Sequence, residues 1–537
     1  MKKMYIILFF ISTSLLYAQQ DAWVYFKDKP NASTFFNAPI KMLSQRAIDR
    51  RVNQKIELDV RDIPIESAYL NQLKSSVGVT VMATSKWLNA AHVRGSQTDL
   101  TSLKLLSFVE KLDFANKTLN QSAKIVSVKK DKIIPKLAKT KIEYAYGTSS
   151  NQIQMLNGHL LHQQNFTGTG KIIAVMDSGF PGVNTAQPFK RLRDNSQILG
   201  GYNYVLRSPD FYTGTSHGTL VLSTMGGYKE NALVGTAPDA SYYLFITEND
   251  TSENPVEESL WVEAAEKADS LGVDIINTSL GYFDFDNASY NHTYNEMDGK
   301  TAFMSRGAEI AFSRGMIVVN SAGNSGASSN PHIAVPADAV SVLAIGAVNA
   351  TKIRTSFSSI GPSFDNRIKP DVMAQGQSSI VSDPFGNIVN ANGTSFSGPI
   401  FTGMVACLWQ ALPNKTNKEI REIIIKSSDR FSIPDNQYGY GIPDFNAAFT
   451  NQLDLNEETI DEVIIYPNPT TDTLTLVLPK NSSSGILLFF NTSGQKVLEQ
   501  KIEKNAPSVS VKVLQSGLYL YKFQSQDFIR TGKIYKQ

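Results

Sequence analysis

Three patterns of apolar positions follow one another along this chain. The N-terminal module sets alternating runs such as Ala22–Lys27 (AWVYFK) and Val77–Met82 (VGVTVM) beside polar helical stretches such as Lys41–Arg51, which predicts a small α/β domain. The central region carries short continuous apolar runs: Lys171–Met176 (KIIAVM), Asp274–Leu280 (DIINTSL), Met316–Asn320 (MIVVN) and Val340–Val348. Such β-branched runs suit parallel strands buried on both faces. Val256–Leu271 and Thr301–Arg314, between them, have helical periodicity. Strand–helix alternation over roughly 300 residues predicts a doubly wound, mainly parallel α/β sheet with function at the carboxyl ends of its strands. Beyond Asn451, short runs (Val463–Tyr466, Leu474–Leu478, Gly485–Phe490, Val509–Val513, Leu518–Phe523) lie between turns rich in Pro, Asn, Ser and Gly. They predict a small β-sandwich.

Composition supports several folded domains. The 537 residues are 42% hydrophobic and 19% charged, enough to bury a real core. A net charge of +2 gives no chain-wide reason to expect nucleic acid. That balance conceals a division: residues 21–145 sum to +9, residues 146–450 to −9, and residues 451–537 to zero. A basic module beside an acidic one suggests two surfaces built to dock. The single cysteine, Cys407, excludes an internal disulfide and any multi-cysteine metal site, and reads as a small core residue. Lys2 and Lys3, the apolar run Met4–Leu16 and Tyr17-Ala18-Gln19 read as an export leader, too short to span a bilayer. Seven lysines and one aspartate between Lys124 and Lys141 read as an exposed linker open to cleavage. The expected boundaries are a leader at 1–18, the basic module and its linker at 19–145, the α/β domain at 146–450 and the sandwich at 451–537.

Three residues at expected strand and helix ends carry candidate chemistry. Asp177 follows KIIAVM directly, His217 opens the apolar stretch after Ser216, and Ser395 precedes the helical run to Leu412. A serine hydroxyl becomes a nucleophile when a neutral imidazole takes its proton and a carboxylate holds that imidazole. Singly, each residue reads as well as a turn or cap. Their order, Asp…His…Ser, excludes the hydrolase arrangement Ser…Asp…His. Gly214-Thr215-Ser216-His217-Gly218 matches a nucleophile elbow literally, but the polar Arg207–Thr213 before it is no strand, so the match is rejected.

With Ser321-Ala322-Gly323-Asn324 after MIVVN, these motifs resemble those of the subtilisin-like serine peptidases over roughly residues 146–450. The resemblance implies that Asp177 orients His217, that His217 is general base and acid, and that Ser395 is the nucleophile. It implies that the Asn324 side-chain amide stabilises the oxyanion beside the Ser395 N–H. It also implies that Ser279, Leu280 and Gly281 pair with an extended peptide, and that Ser321, Ala322 and Gly323, with Val335-Pro336-Ala337, wall the first specificity pocket. Phe396, Ser397 and Gly398 stand where relatives commonly carry Met, Ala and Ser. No cofactor is needed for this chemistry. Structural calcium is common in the family, and Asp284, Asp286, Glu296 and Asp298 offer oxygens, but their spacing matches no calcium loop and a solvated loop is expected. His159, His162 and His332 have no metal-binding pattern.

In this light the basic module resembles an inhibitory propeptide removed by a cut between Lys141 and Ser150. Tyr466-Pro467-Asn468-Pro469, Asn491–Val497, Gly517-Leu518-Tyr519 and the terminal Lys533-Ile534-Tyr535-Lys536 resemble a type IX secretion sorting domain. The expectation is a self-processed, monomeric endopeptidase that is secreted or displayed on the outer membrane. Its expected partners are polypeptide substrates, its own propeptide and the type IX machinery. Two rival readings are an inactive peptide-binding scaffold and an adhesin in which the tail is the active part.

Overall fold

The computed structural model describes residues 19–120, 144–454, 464–478, 484–503, 507–525 and 529–537. The expected leader, the lysine-rich segment and the start of the expected cleavage window lie outside these residues. The chain forms two compact units, Met1–Phe449 and Thr450–Gln537. The N-terminal module and the α/β domain therefore belong to one body.

The N-terminal module is an antiparallel sheet of β1 (Gln19–Phe26), β2 (Val79–Ser85), β3 (Ala90–Ser96) and β4 (Val109–Phe114), in the order β2-β3-β1-β4. Consecutive residues of β1 are apolar because both faces are covered. Ala22, Val24 and Phe26 enter the module's own core with Leu73, Val93 and Phe114. Trp23 and Tyr25, on the other face, join the core of the α/β domain. The module also contributes α1 (Gln45–Asn53), whose Ser44 N-cap accepts from Ala47 N.

The α/β domain is built on seven strands: β5 (Ile172–Asp177), β6 (Ile198–Asn203), β7 (Ser241–Ile246), β8 (Ile275–Thr278), β9 (Ile317–Ser321), β10 (Leu343–Val348) and β11 (Val372–Gln375). All pair in parallel, in the order β11-β10-β9-β8-β5-β7-β6. The chain winds to one side of β5 through β6 and β7, then reverses to β8–β11 on the other. The carboxyl end of β5 is thus the switch point, the place where doubly wound sheets bind their ligands. Four helices frame it: α2 (His217–Gly226), α3 (Val256–Leu271), α4 (Phe303–Ser313) and α5 (Thr394–Ala411). In α5 every residue except Gln410 is buried, as an apolar circumference requires.

The second unit holds a three-stranded and a four-stranded antiparallel sheet. Leu474, Leu476 and Val509 from one meet Leu487, Phe489, Phe523 and Ile534 from the other in a single core, which makes it a sandwich.

The N-terminal module docks on α3 and α4 through opposite charges. Trp23 stacks on Phe303 at 5.2 Å and donates its indole N–H to Ser259 Oγ at 2.8 Å. The Glu266 carboxylate accepts from Ser85 Oγ (2.6 Å) and from the backbone of Lys86 and Trp87 (3.0 and 2.9 Å). Asp269, fully buried, is paired with Arg50 and, at 2.7 Å, with Arg51, which also reaches Asp62 at 2.9 Å. Burial alone would push the Asp269 carboxyl up, but the charges of Arg51 and Arg50 hold it below the usual carboxylate range. In a Ser395→Ala background, Asp269→Ala leaves Arg50 buried without a carboxylate. It should cost about 3–5 kcal/mol of unfolding free energy, read from the shift of a urea-denaturation curve. A curve that does not move would contradict this account of the docking.

Candidate active site

Asp177 is the last residue of β5 and wholly buried. Its Oδ1 accepts from Ser178 N at 2.9 Å and faces His217 Nδ1 at 2.8 Å. The loop leading to His217 is tied to the same strand end: Phe180 N donates to Thr213 O (3.0 Å) and Thr215 N to Ser178 O (3.2 Å). His217 is the first residue of α2, and the next residue must be small. A Cβ at Gly218 would lie 2.4 Å from Gly179 O and 2.9 Å from Asp177 Cβ. Glycine there lets the helix approach the strand closely enough for the Asp177–His217 bond.

The Asp177 carboxylate pushes the His217 imidazole up to about 9, against the opposing effect of burial and with smaller help from Glu248 and Asp250. With 34% of its side chain exposed, the imidazole remains accessible to solvent. The Phe396 ring, on the residue after Ser395, lies 6.2 Å from it.

Ser395 sits in the first turn of α5, 8% exposed. Pro399, four residues on, has no N–H to give to the Ser395 carbonyl. That carbonyl instead accepts from Ser279 Oγ at 3.0 Å, and the Thr394 carbonyl accepts from Ser321 Oγ at 2.8 Å. The ends of β8 and β9 therefore clamp the start of the helix. Ser395 Oγ donates to Ser279 O at 3.5 Å, and among the described residues no hydrogen bond joins it to His217. Catalytic hydrogen bonds are often long before substrate binds.

Asn324 follows β9 and is exposed. Its Oδ1 accepts from Thr394 N (2.9 Å) and Thr394 Oγ1 (3.0 Å), which fixes the amide so that Nδ2 is the free end. A Cβ placed on Gly393 would lie 3.6 Å from both Asn324 Nδ2 and Ser395 N, so the two donors flank one point. Gly393 has φ +146°, which also disfavours any side chain there.

The expected groove residues follow β8 and end β9, where Ser279 and Ser321 bond the start of α5. Leu280 is buried and its carbonyl accepts from Asn320 Nδ2 at 3.0 Å, while Gly281 is exposed. Among the described residues, the backbone polar groups of Gly281 make no hydrogen bond. Tyr282 and Val335 exchange backbone bonds at 2.9 and 3.1 Å, joining the segment after Gly281 to the one before Pro336. Ser321 and Ala322 are buried, and Gly323, at φ +106°, is half-buried.

The loop Phe283–Gly299 spends most of its carboxylates locally. Asp298 caps Lys300 N and Thr301 N, Asp284 accepts from Asn291, and Glu296 is paired with Lys117 at 2.6 Å. Among the described residues no three His, Cys, Asp or Glu side chains are placed to hold a metal ion. His162 is structural, buried between Tyr146 Oη (2.8 Å) and Thr236 O (3.0 Å) and pushed down to about 4 by burial. Cys407 is buried, with its Sγ 3.2 Å from Thr236 O. Glu248, just beyond β7, enters the electrostatics of His217 although no sequence motif marks it. Its only sequence signal is a position two residues past an apolar strand.

Comparison with known proteins gives three family matches: the subtilase family over residues 168–441, the peptidase S8 propeptide domain of Bacteroidota over 21–132, and a secretion system C-terminal sorting domain over 464–537. Subtilisin NAT from Bacillus subtilis subsp. natto is 30% identical over 335 residues, 62% of this chain and 79% of that protein. Subtilisin DY from Bacillus licheniformis is 28% identical over 299 residues, 55% and 97% of the two chains. The crystal structure of MycP1 from Mycobacterium smegmatis is 20% identical, with a TM-score of 0.46 over 58% of this chain and 88% of that one.

Because the folded pKa of His217 exceeds the unfolded value of about 6.5, the pair adds stability in full below that pH, and loses it as pH rises through about 9. An NMR titration of His217 should find its midpoint near 9 in wild type. In Asp177→Asn the midpoint should fall by more than a unit. An unmoved midpoint would show that some other group sets it.

Proposed function

Since the chain belongs to the subtilase family, we propose that Ser395, His217 and Asp177 cut peptide bonds through an acyl-enzyme, and that the chain first cuts itself. It is a secreted subtilisin-like serine endopeptidase, preceded by an S8 propeptide domain and followed by a sorting domain for type IX export to the cell surface or medium. The observation that carries the reading is the 2.8 Å Asp177–His217 bond beside a clamped helix start, where Ser395 N and Asn324 Nδ2 flank one point.

Ser395 Oγ turns from the Ser279 carbonyl to His217 Nε2 and attacks the scissile carbonyl carbon as its proton passes to the imidazole. The new oxyanion accepts from Asn324 Nδ2 and the Ser395 N–H, both held in place before the reaction starts. Collapse breaks the C–N bond, His217 protonates the leaving amine, and an ester on Ser395 remains. Water then attacks the ester and gives its proton to His217. The acid leaves, and the serine recovers its proton. Asp177 stays ionised throughout and holds Nδ1 as the protonated nitrogen. Ser279–Gly281 supplies a strand edge for the substrate backbone, with Gly281 leaving its polar groups free. Ser321–Gly323 borders the side chain nearest the cut.

The docked N-terminal module is the propeptide, and its removal by a cut within 141–150 produces the mature enzyme. Tyr144–Ser150 lies against the catalytic domain, with Asn231 N donating to Ala145 O at 3.0 Å and Ser149 N to Ala232 O at 3.3 Å.

Wild type should digest unfolded casein and lose residues up to the 141–150 window, as read by mass spectrometry of its termini. Ser395→Ala should do neither. Asn324→Ala should lower turnover about 10²–10³-fold, a magnitude taken from a related subtilisin. Casein cut equally fast by Ser395→Ala would refute the assignment.

A further inference from the structure

Every polar atom of Thr394 is bonded to one short segment. Its carbonyl accepts from Ser321 Oγ at 2.8 Å, and its Oγ1 accepts from Gly323 N at 3.2 Å. Its N and Oγ1 donate to Asn324 Oδ1 at 2.9 and 3.0 Å. Gly323 and Asn324 lie in the loop that follows β9, whereas Ser321 is the last residue of the strand itself. There it is buried and paired with Ile345 of β10, in a strand with neighbours on both sides. Of the three partners, Ser321 is therefore the one held by the sheet.

The carbonyl that Ser321 holds belongs to the same peptide unit as the Ser395 N–H. A trans peptide is planar, with its C=O and N–H pointing in opposite directions. Fixing the oxygen against β9 thus fixes the direction of the Ser395 N–H. That N–H lies in the first turn of α5 and makes no hydrogen bond among the described residues. Ser397 Oγ also donates to the Thr394 carbonyl, at 3.0 Å. It stands three residues on in the same helix and moves with the carbonyl, so it satisfies the oxygen without tying it to the sheet.

A glycine gives the strand hydroxyl its room. A Cβ on Gly398 would lie 3.1 Å from Ser321 Oγ, which is tight, but 3.7 and 3.9 Å from Ser321 N and Cα, which are ordinary contacts. Gly398 is helical, and its backbone would accept a side chain. Among its near neighbours, only the Ser321 hydroxyl stands in the way.

We infer that Ser321 is a positioning residue for oxyanion stabilisation: its hydroxyl, given room by Gly398, aims the Ser395 N–H through the 394–395 peptide. This rests on the peptidase reading above and adds to it the group that orients one of the two oxyanion donors. A donor fixed before the reaction stabilises the developing charge without having to turn, and small misplacements at a reacting centre are costly. The inference is separate from the pocket-wall role that the family resemblance gives Ser321, because it concerns the hydroxyl and the transition state rather than the shape that meets the substrate.

The test compares matured wild type with Ser321→Ala, Gly398→Ala and the variant carrying both, on one quenched fluorescent peptide. Rates are taken per serine labelled to completion by a fluorophosphonate, so that unfolded protein does not count. Ser321→Ala should lower kcat about tenfold, less than the loss of a whole oxyanion donor, and leave KM within about twofold. A peptidyl trifluoromethyl ketone, whose adduct carries the oxyanion, should bind about tenfold more weakly to that variant. Gly398→Ala should slow the wild type by displacing the Ser321 hydroxyl, yet cost little more in Ser321→Ala, where that hydroxyl is already gone. A Ser321→Ala enzyme with unchanged kcat, or with its loss confined to KM, would overturn the inference and leave Ser321 a pocket wall. Equal costs of Gly398→Ala in both backgrounds would overturn the coupling to Gly398, and with it the inference. A wild type that cuts neither the peptide nor casein would instead remove the peptidase reading on which the inference rests.

Discussion

A buried carboxylate at the end of the central strand governs the arrangement of the catalytic unit. Asp177 has no solvent to stabilise its charge, and the imidazole of His217 is its hydrogen-bonding side-chain partner across the chain. An ionised carboxylate in such a place is tolerated only with a good partner. The surroundings provide for that partner: Gly218 allows close approach, and the preceding loop is sewn to Ser178 and Phe180. The parallel sheet fixes where this happens, because β5 is the strand from which the winding diverges in both directions.

Ser395, the proposed nucleophile, is positioned by the neighbouring strand ends. Pro399 frees the carbonyl of Ser395, and the hydroxyls of Ser279 and Ser321 take up the first-turn carbonyls. Asn324 is turned by Thr394, so its amide donor is directed rather than free to flip. Strand ends, helix start and the proposed oxyanion donors are thus one hydrogen-bonded unit. The N-terminal module lies against α3 and α4 through Trp23, Glu266 and the Arg50–Arg51–Asp269 cluster, contacts that do not involve Asp177, His217 or Ser395.

Much of this was legible in the sequence, for physical reasons. Strands buried on both faces leave continuous apolar runs, so β5, β8, β9 and β10 stood out. β6 did not, since it is a half-buried edge containing Gly200 and Gly201, and β11 is only four residues long. Asp177, His217 and Ser395 were singled out because each sits at a strand end or a helix start that the local pattern marks, and Asn324 through the family resemblance alone. The spacing Ser395 to Pro399 also held a signal: a proline four residues on predicts a Ser395 carbonyl that needs an outside donor. Glu248 carried no local mark. Its electrostatic influence on His217 depends on the pairing of β7 with β5 across residues far apart in the chain, which no periodicity records. The opposed regional charges were visible, but which arginine meets which aspartate was not.

The most direct measurement is covalent trapping with a fluorophosphonate reagent, followed by mass spectrometry of the labelled peptide. A single adduct on Ser395, lost in His217→Ala while the folded state is retained, is the predicted result. An adduct on another serine, or labelling that persists in His217→Ala, would contradict the account.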